Sequence, residues 1–194
     1  IYLRRGDLDK LEALLGPRLA DEDTSDEILL SGSMLRLYHG KHDDAMNLVD
    51  RVLARSPASW EGHLNRGRIL FAKGEFEAAL IELEQARPTE PNGVVELWLG
   101  RTLEETGDEK GATKHYAAAV QIEPANPEAG AYYARRLAYM GQARRAIEIL
   151  EPLVRDTEAY PFAFAVLGRA HYDAGNRQRA LEFLRKARRL DSKN

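Results

Sequence analysis

This sequence predicts an all-α solenoid of antiparallel helix pairs, on the strength of three observations. Glycines stand at positions 6, 40, 74, 107, 141 and 175, spaced 34, 34, 33, 34 and 34 residues apart. The stretches on either side of them are rich in helix formers and apolar at every third or fourth position. Small, large apolar and proline residues recur at fixed offsets from the glycines. A constant period in the range of roughly 20–50 residues marks a repeat architecture, in which each unit buries its apolar face only against a neighbour.

The elements follow in order. Residues 1–25 contain a turn at Gly6 and one helix, the second half of a repeat. The chain therefore opens inside a repeat and is expected to be a piece of a longer protein. Five complete repeats follow, at 26–59, 60–92, 93–126, 127–160 and 161–194, and the whole of 1–194 is expected to form one solenoid domain. The repeat around Gly74 shows the grammar. Trp60 to Lys73 is a first amphipathic helix, Gly74 suits the left-handed residue that ends it, and Glu75 to Ala86 is a second helix running back.

Seven residues before each glycine from Gly40 onward stand Ser33, Gly67, Gly100, Ala134 and Gly168, and five after the glycines stand Leu11, Ala45, Ala79, Ala112, Ala146 and Ala180. Small residues at both places let the paired helices approach closely. Nine after comes a large apolar residue (Leu15, Val49, Leu83, Tyr116, Leu150, Leu184) expected to fill the space beside the small pair. Pro57, Pro91 and Pro124 close three repeats. Asn126-Pro127 reads as an N-cap with proline in the first turn, and Pro161 opens another helix.

This pattern resembles the tetratricopeptide repeat (TPR) family, as in Leu99-Gly100, Gly107, Ala112, Tyr116, Ala119 and Pro124. Leu11 stands in place of alanine, Arg36 and His171 in place of an apolar residue, and Glu158 and Ser192 in place of the closing proline. The resemblance implies a right-handed superhelix with first helices lining a concave groove and second helices outside. It also implies a scaffold or adaptor that holds a protein or peptide.

Composition narrows the function classes. The formal net charge of −3 argues against a broad nucleic-acid surface. Apolar runs are too short for a membrane-crossing helix. With no cysteine, thiolate catalysis and cysteine-bound zinc are excluded. Its absence fixes no compartment, and a cytoplasmic setting is the default. His39 and His42 straddle the Gly40 turn beside Asp43 and Asp44 and read as solvated turn residues. His171 falls on the seam between paired helices and reads as a satisfied core histidine. Neither a nucleophile–histidine–carboxylate arrangement nor a phosphate-cradling loop is suggested, so no catalytic residue, cofactor or metal is expected and the chain is read as non-enzymatic.

The sharper signal is Arg68, Arg101, Arg135 and Arg169, each six residues before its turn glycine. The resemblance places this position on the groove, and packed helices roughly 8–10 Å apart would space the arginines as a ladder for an acidic segment. Glu105 and Asp173 lie four residues after Arg101 and Arg169, in pairing range. Ala72 and Tyr139 hold that offset after Arg68 and Arg135, which makes these two the stronger candidates for a partner. Four exposed ion pairs would total roughly 1–4 kcal/mol, about millimolar affinity at best, so apolar anchors are needed. Groove offsets supply Leu30, Tyr38, Leu64, Phe71, Leu97, Trp98, Tyr132, Tyr139, Phe162 and Tyr172, while Tyr133 is expected to face the core. A chaperone-type carboxylate clamp is not expected, because only Asn65 matches among Leu30, Met34, Asn65, Val94 and Trp98.

Two other uses remain open. The last helix carries Arg177, Arg179, Arg185, Lys186, Arg188 and Arg189, and Asp21, Glu22, Asp23, Asp26 and Glu27 lie near the other end, a pattern suited to head-to-tail self-association. The chain could then serve as an oligomerisation or assembly module of a larger machine, such as a secretion, pilus or motility apparatus. It could instead regulate an enzyme lying outside it.

Overall fold

Five glycines take the left-handed conformation: Gly40, Gly74, Gly107, Gly141 and Gly175, with φ between 71° and 87°. Each closes a helix with the same pair of hydrogen bonds. At Gly74 its own N–H donates to the Phe71 carbonyl at 3.0 Å, and the Glu75 N–H donates to the Leu70 carbonyl at 2.9 Å. This two-bond motif satisfies carbonyls that the helix end leaves open, and it reverses the chain within two residues. Gly6, expected as a sixth turn, lies instead inside the first helix. A left-handed cap terminates a preceding helix, and among the described residues none precedes Gly6.

The computed structural model describes residues 5–155 and 160–191. Glu158 and Ser192 lie outside the described residues. Eleven helices and no strand occur among those described: α1 Arg5–Leu19, α2 Asp26–Tyr38, α3 His42–Arg55, α4 Trp60–Lys73, α5 Phe76–Gln85, α6 Gly93–Glu105, α7 Glu109–Ile122, α8 Pro127–Tyr139, α9 Ala143–Val154, α10 Pro161–Asp173 and α11 Arg177–Asp191. The five first helices begin at residues 26, 60, 93, 127 and 161. Side-chain caps fix three of these starts. Ser59 accepts from the Gly62 N–H, Asn92 from Val94 and Val95, and Asn126 from Glu128 and Ala129. Pro127 and Pro161 each open a helix, where the missing N–H costs nothing.

The chain divides into two compact units, with the boundary between Ala112 and Thr113 inside α7. Solenoid contacts are local by construction, since each hairpin touches only its neighbours, and each unit has its own core. In the unit through Ala112, Leu15, Leu19, Leu29 and Val52 pack together, Ala45 and Val49 meet Ile69, and Leu83 and Ala86 meet Val95 and Leu99. In the unit from Thr113, Ala134, Leu137, Leu150, Phe164 and Leu167 form one core with Tyr133 packed partly against it.

Close helix pairing depends on the small residues. A β-carbon on Gly67 would lie 2.7 Å from Leu83 Cγ, and one on Gly168 would lie 2.6 Å from Leu184 Cγ. The large apolar residue nine positions after the turn does fill the space beside the small one.

Candidate functional site

In the unit through Ala112, α4 and α6 pack side by side and present a cluster of two aromatic rings and two arginines. The Phe71 and Trp98 rings meet edge to face, with centroids 5.4 Å apart. The Arg101 guanidinium lies 3.9 Å from the Trp98 ring centroid and 5.1 Å from that of Phe71, and Arg68 lies 4.9 Å from Trp98. The spacing produces this directly. Arg68 and Phe71 are three apart on α4 and Trp98 and Arg101 three apart on α6, so each helix brings an arginine and a ring to one face, and Arg68 reaches across to Trp98 on the neighbouring helix. Such contacts hold a guanidinium over a ring face while leaving it charged.

The unit from Thr113 repeats the theme on α8 and α10. Arg135 lies 5.1 Å from the Tyr132 ring centroid and 5.5 Å from that of Phe162. Tyr132 and Phe162 pack 5.2 Å apart, and Tyr132 stacks on buried Tyr116 from its other side. A pocket of about 190 Å³ opens beside this cluster, lined by Arg135, Ala138, Tyr139, Phe162, Ala165, Val166 and Arg169. Tyr139 (65% exposed) stands on its rim, and Tyr172 (59% exposed) is on the same helix as Arg169. Arg169 Nε donates to both Asp173 oxygens, at 2.8 and 2.9 Å. That hydrogen bond, with the charge of Asp173, holds the Arg169 pKa above the ordinary arginine value.

The named residues thus fall into two groups: Arg68, Phe71, Trp98 and Arg101 in one unit, and Tyr132, Tyr139, Arg135, Arg169 and Tyr172 in the other. Two stand apart. Leu64 (6% exposed) is packed against Leu83, Val95 and Leu99, and Asn65 (7% exposed) donates its amide to the Leu30 carbonyl at 3.2 Å and to Ser33 Oγ at 3.1 Å. Both are buried in the helix stack, Leu64 against α5 and α6 and Asn65 against α2. Leu97 is buried likewise. A one-residue change in helical register turns a side chain by 100°, which separates Leu97 from Trp98.

Other polar clusters belong to the fold. His63 is buried. Its Nδ1 is 2.7 Å from Glu82 Oε2 and its Nε2 3.0 Å from the Pro57 carbonyl. His171 is buried on the seam and stacks on Phe183, 5.2 Å between centroids, but neither ring nitrogen makes a hydrogen bond among the described residues, so it is a core histidine without the satisfied partners expected of it. Arg51 donates to the carbonyls of Leu19 and Asp21, and Arg55 to that of Thr24. These two arginines therefore lie against the acidic stretch and offset part of its charge. Among the described residues no group of three histidine or carboxylate side chains converges as a metal site, and no helix is long and apolar enough to cross a membrane.

The pocket beside Arg135 was not foreseen from the sequence. Its signal was there, in the alanine and valine that hold two positions where the repeats around Gly74 and Gly107 carry large aromatics.

Comparison with known proteins agrees with this architecture. The sequence profile described as tetratricopeptide repeat matches residues 33–93 and 134–194. No curated protein matches the chain. Among solved structures, that of MamA is 20% identical, with 87% of this chain and 92% of that one aligned at a TM-score of 0.62. YrrB, described as a TPR protein with an unusual peptide-binding site, is 20% identical over 94% of this chain and 93% of its own, at 0.60. The APC/C hetero-tetramer Cut9-Hcn1 gives 0.83 at 15% identity, over 97% of this chain and 38% of the matched one. At such identities the likeness concerns the fold alone. The two profile matches cover more than half of the sequence, and the left-handed glycines keep the same register between them: the chain belongs to the tetratricopeptide repeat family.

Proposed function

We infer that this protein is a scaffold that binds acidic protein segments through the faces of its first helices, with one arginine–aromatic cluster in each unit. The family and fold support protein–protein interaction in general, and such repeats are generally non-catalytic; we read this chain as non-enzymatic too. The observation that carries the finer reading is the recurrence, at one repeat register, of a guanidinium held over an aromatic ring: Arg68 and Arg101 at Trp98, and Arg135 at Tyr132 and Phe162. Arginine and large aromatics are the residue types enriched at interface hot spots. A ring beneath a guanidinium supplies apolar contact area, while the cation selects a carboxylate. The YrrB structure, described as having a peptide-binding site, lends support by analogy of fold.

An array of short acidic peptides, probed with the whole chain and with the Arg68→Glu/Arg135→Glu double variant, tests this reading. Peptides retained by the unmodified chain are expected to bind the variant about 2- to 30-fold more weakly, from two exposed ion pairs. Their salt dependence is expected to flatten. Equal retention by both proteins would remove the arginines from the argument.

A further inference from the structure

The two first-helix clusters differ in one respect that follows from the repeat register. Three residues before the turn glycine, α4 carries Phe71 and α8 carries Ala138. Nine residues before it, α6 carries Trp98 and α10 carries Val166. Phe71 and Trp98 fill their site with their own rings, edge to face. Ala138 and Val166 cannot, and the pocket of about 190 Å³ lies where those rings would be. One repeat pair is plugged by its own side chains and the other is left open.

We propose that the pocket between α8 and α10 is an anchor subsite for one large apolar side chain, phenylalanine in the first instance, whose neighbour in the bound segment carries a carboxylate. This rests on the reading that the first-helix faces bind a protein segment. Size supports it, because an apolar cavity of about 150 Å³ accepts a benzene ring. Chemistry supports it as well. Phe162, Ala138 and Val166 give an apolar wall, and Arg135 puts positive charge at the edge, the charge of Arg169 there being offset by Asp173. An apolar side chain entering here leaves its own backbone at the rim, so the carboxylate recognised is on the adjacent residue. In the plugged repeat pair the rings occupy that place already, so anchoring there is through ring faces alone.

The test uses three probes, N-acetyl-Phe-Asp amide, N-acetyl-Phe-Asn amide and N-acetyl-Ala-Asp amide, titrated into the whole chain while methyl resonances of Ala138, Ala165 and Val166 are followed by NMR. The Phe-Asp probe is expected to shift these methyls saturably in the millimolar range. The Phe-Asn probe is expected to bind about two- to fivefold more weakly at low salt, and the Ala-Asp probe about tenfold or more weakly. Ala138→Phe, which restores the residue found at this register in α4, is expected to abolish the shifts while far-UV circular dichroism stays unchanged. Ala165→Leu, at another lining position, serves the same purpose if that variant fails to fold. Equal binding of the Phe-Asp and Ala-Asp probes would overturn the proposal, as would a folded, plugged variant that still binds, or no methyl shift with any probe. The scaffold reading stands or falls separately, on the peptide array.

Discussion

Gly67 and Leu83 meet so closely that a β-carbon on residue 67 would lie 2.7 Å from Leu83 Cγ and 3.3 Å from the Ala79 carbonyl oxygen. Leu83 is fully buried, so it has little room to withdraw. The same relationship recurs between Gly168 and Leu184, at 2.6 Å, but Leu184 is 44% exposed. Geometry is shared and freedom to relax is not.

Gly67→Ala is therefore expected to destabilise the protein by up to about 2 kcal/mol, the overpacking cost less the helix-propensity gain of alanine. Gly168→Ala is expected to cost less, because Leu184 can swing toward solvent. Urea unfolding of the two variants side by side measures the difference. Equal losses would mean that the Ala79 and Ala180 carbonyls, and not the leucines, set the limit.

The turn glycines make a contrasting prediction. Nothing lies within 4 Å of a β-carbon built on Gly74, whose φ is 80°. Gly74→Ala is expected to cost about 1 kcal/mol from the left-handed backbone alone. Gly74→Asn is expected to recover part of this, since asparagine tolerates that region. Thermal melts of the pair distinguish backbone strain from packing.

Helix starts differ in how they are held. Asn92 and Asn126 each accept two backbone N–H groups, at 2.9–3.2 Å. Either one replaced by alanine is expected to lose about 1 kcal/mol. Gln142 precedes α9 without a side-chain cap, so Gln142→Ala is expected to stay within about 0.5 kcal/mol of the parent. Chemical denaturation midpoints compare the three directly.

Arg101 and Trp98 provide a test of the cluster that needs no ligand. At 3.9 Å from guanidinium to ring centroid, a double-mutant cycle of Arg101→Gln and Trp98→Leu is expected to show a coupling of about 0.5–1 kcal/mol. A coupling near zero would mean that the arginine is not held on the ring in solution.

Much of this molecule is legible in the chain itself. The glycine period and the small residues at fixed offsets predict the helix pairs and their turns, because a left-handed cap and a close helix approach each demand a particular residue type. Gly6 shows the bound on that logic: it stands in the same register as the turn glycines and yet lies inside α1. The candidate site is less readable. Trp98 and Leu97 are adjacent and both apolar, yet one is ringed by arginines and the other is buried, since a helix turns 100° between them. Asn65 looks like a ligand donor by type and is taken up by Leu30 and Ser33.

Sequence alone determined the repeat, its register, its turns and the places where arginine and aromatic residues recur, since these depend on local backbone chemistry and on periodicity. Tertiary structure decided which of those side chains face outward and which are consumed by packing. It also decided that Phe71 and Trp98 plug one helix pair while Ala138 and Val166 leave another open, because a pocket is the volume left between residues distant in the chain, and helices must be packed before that volume exists.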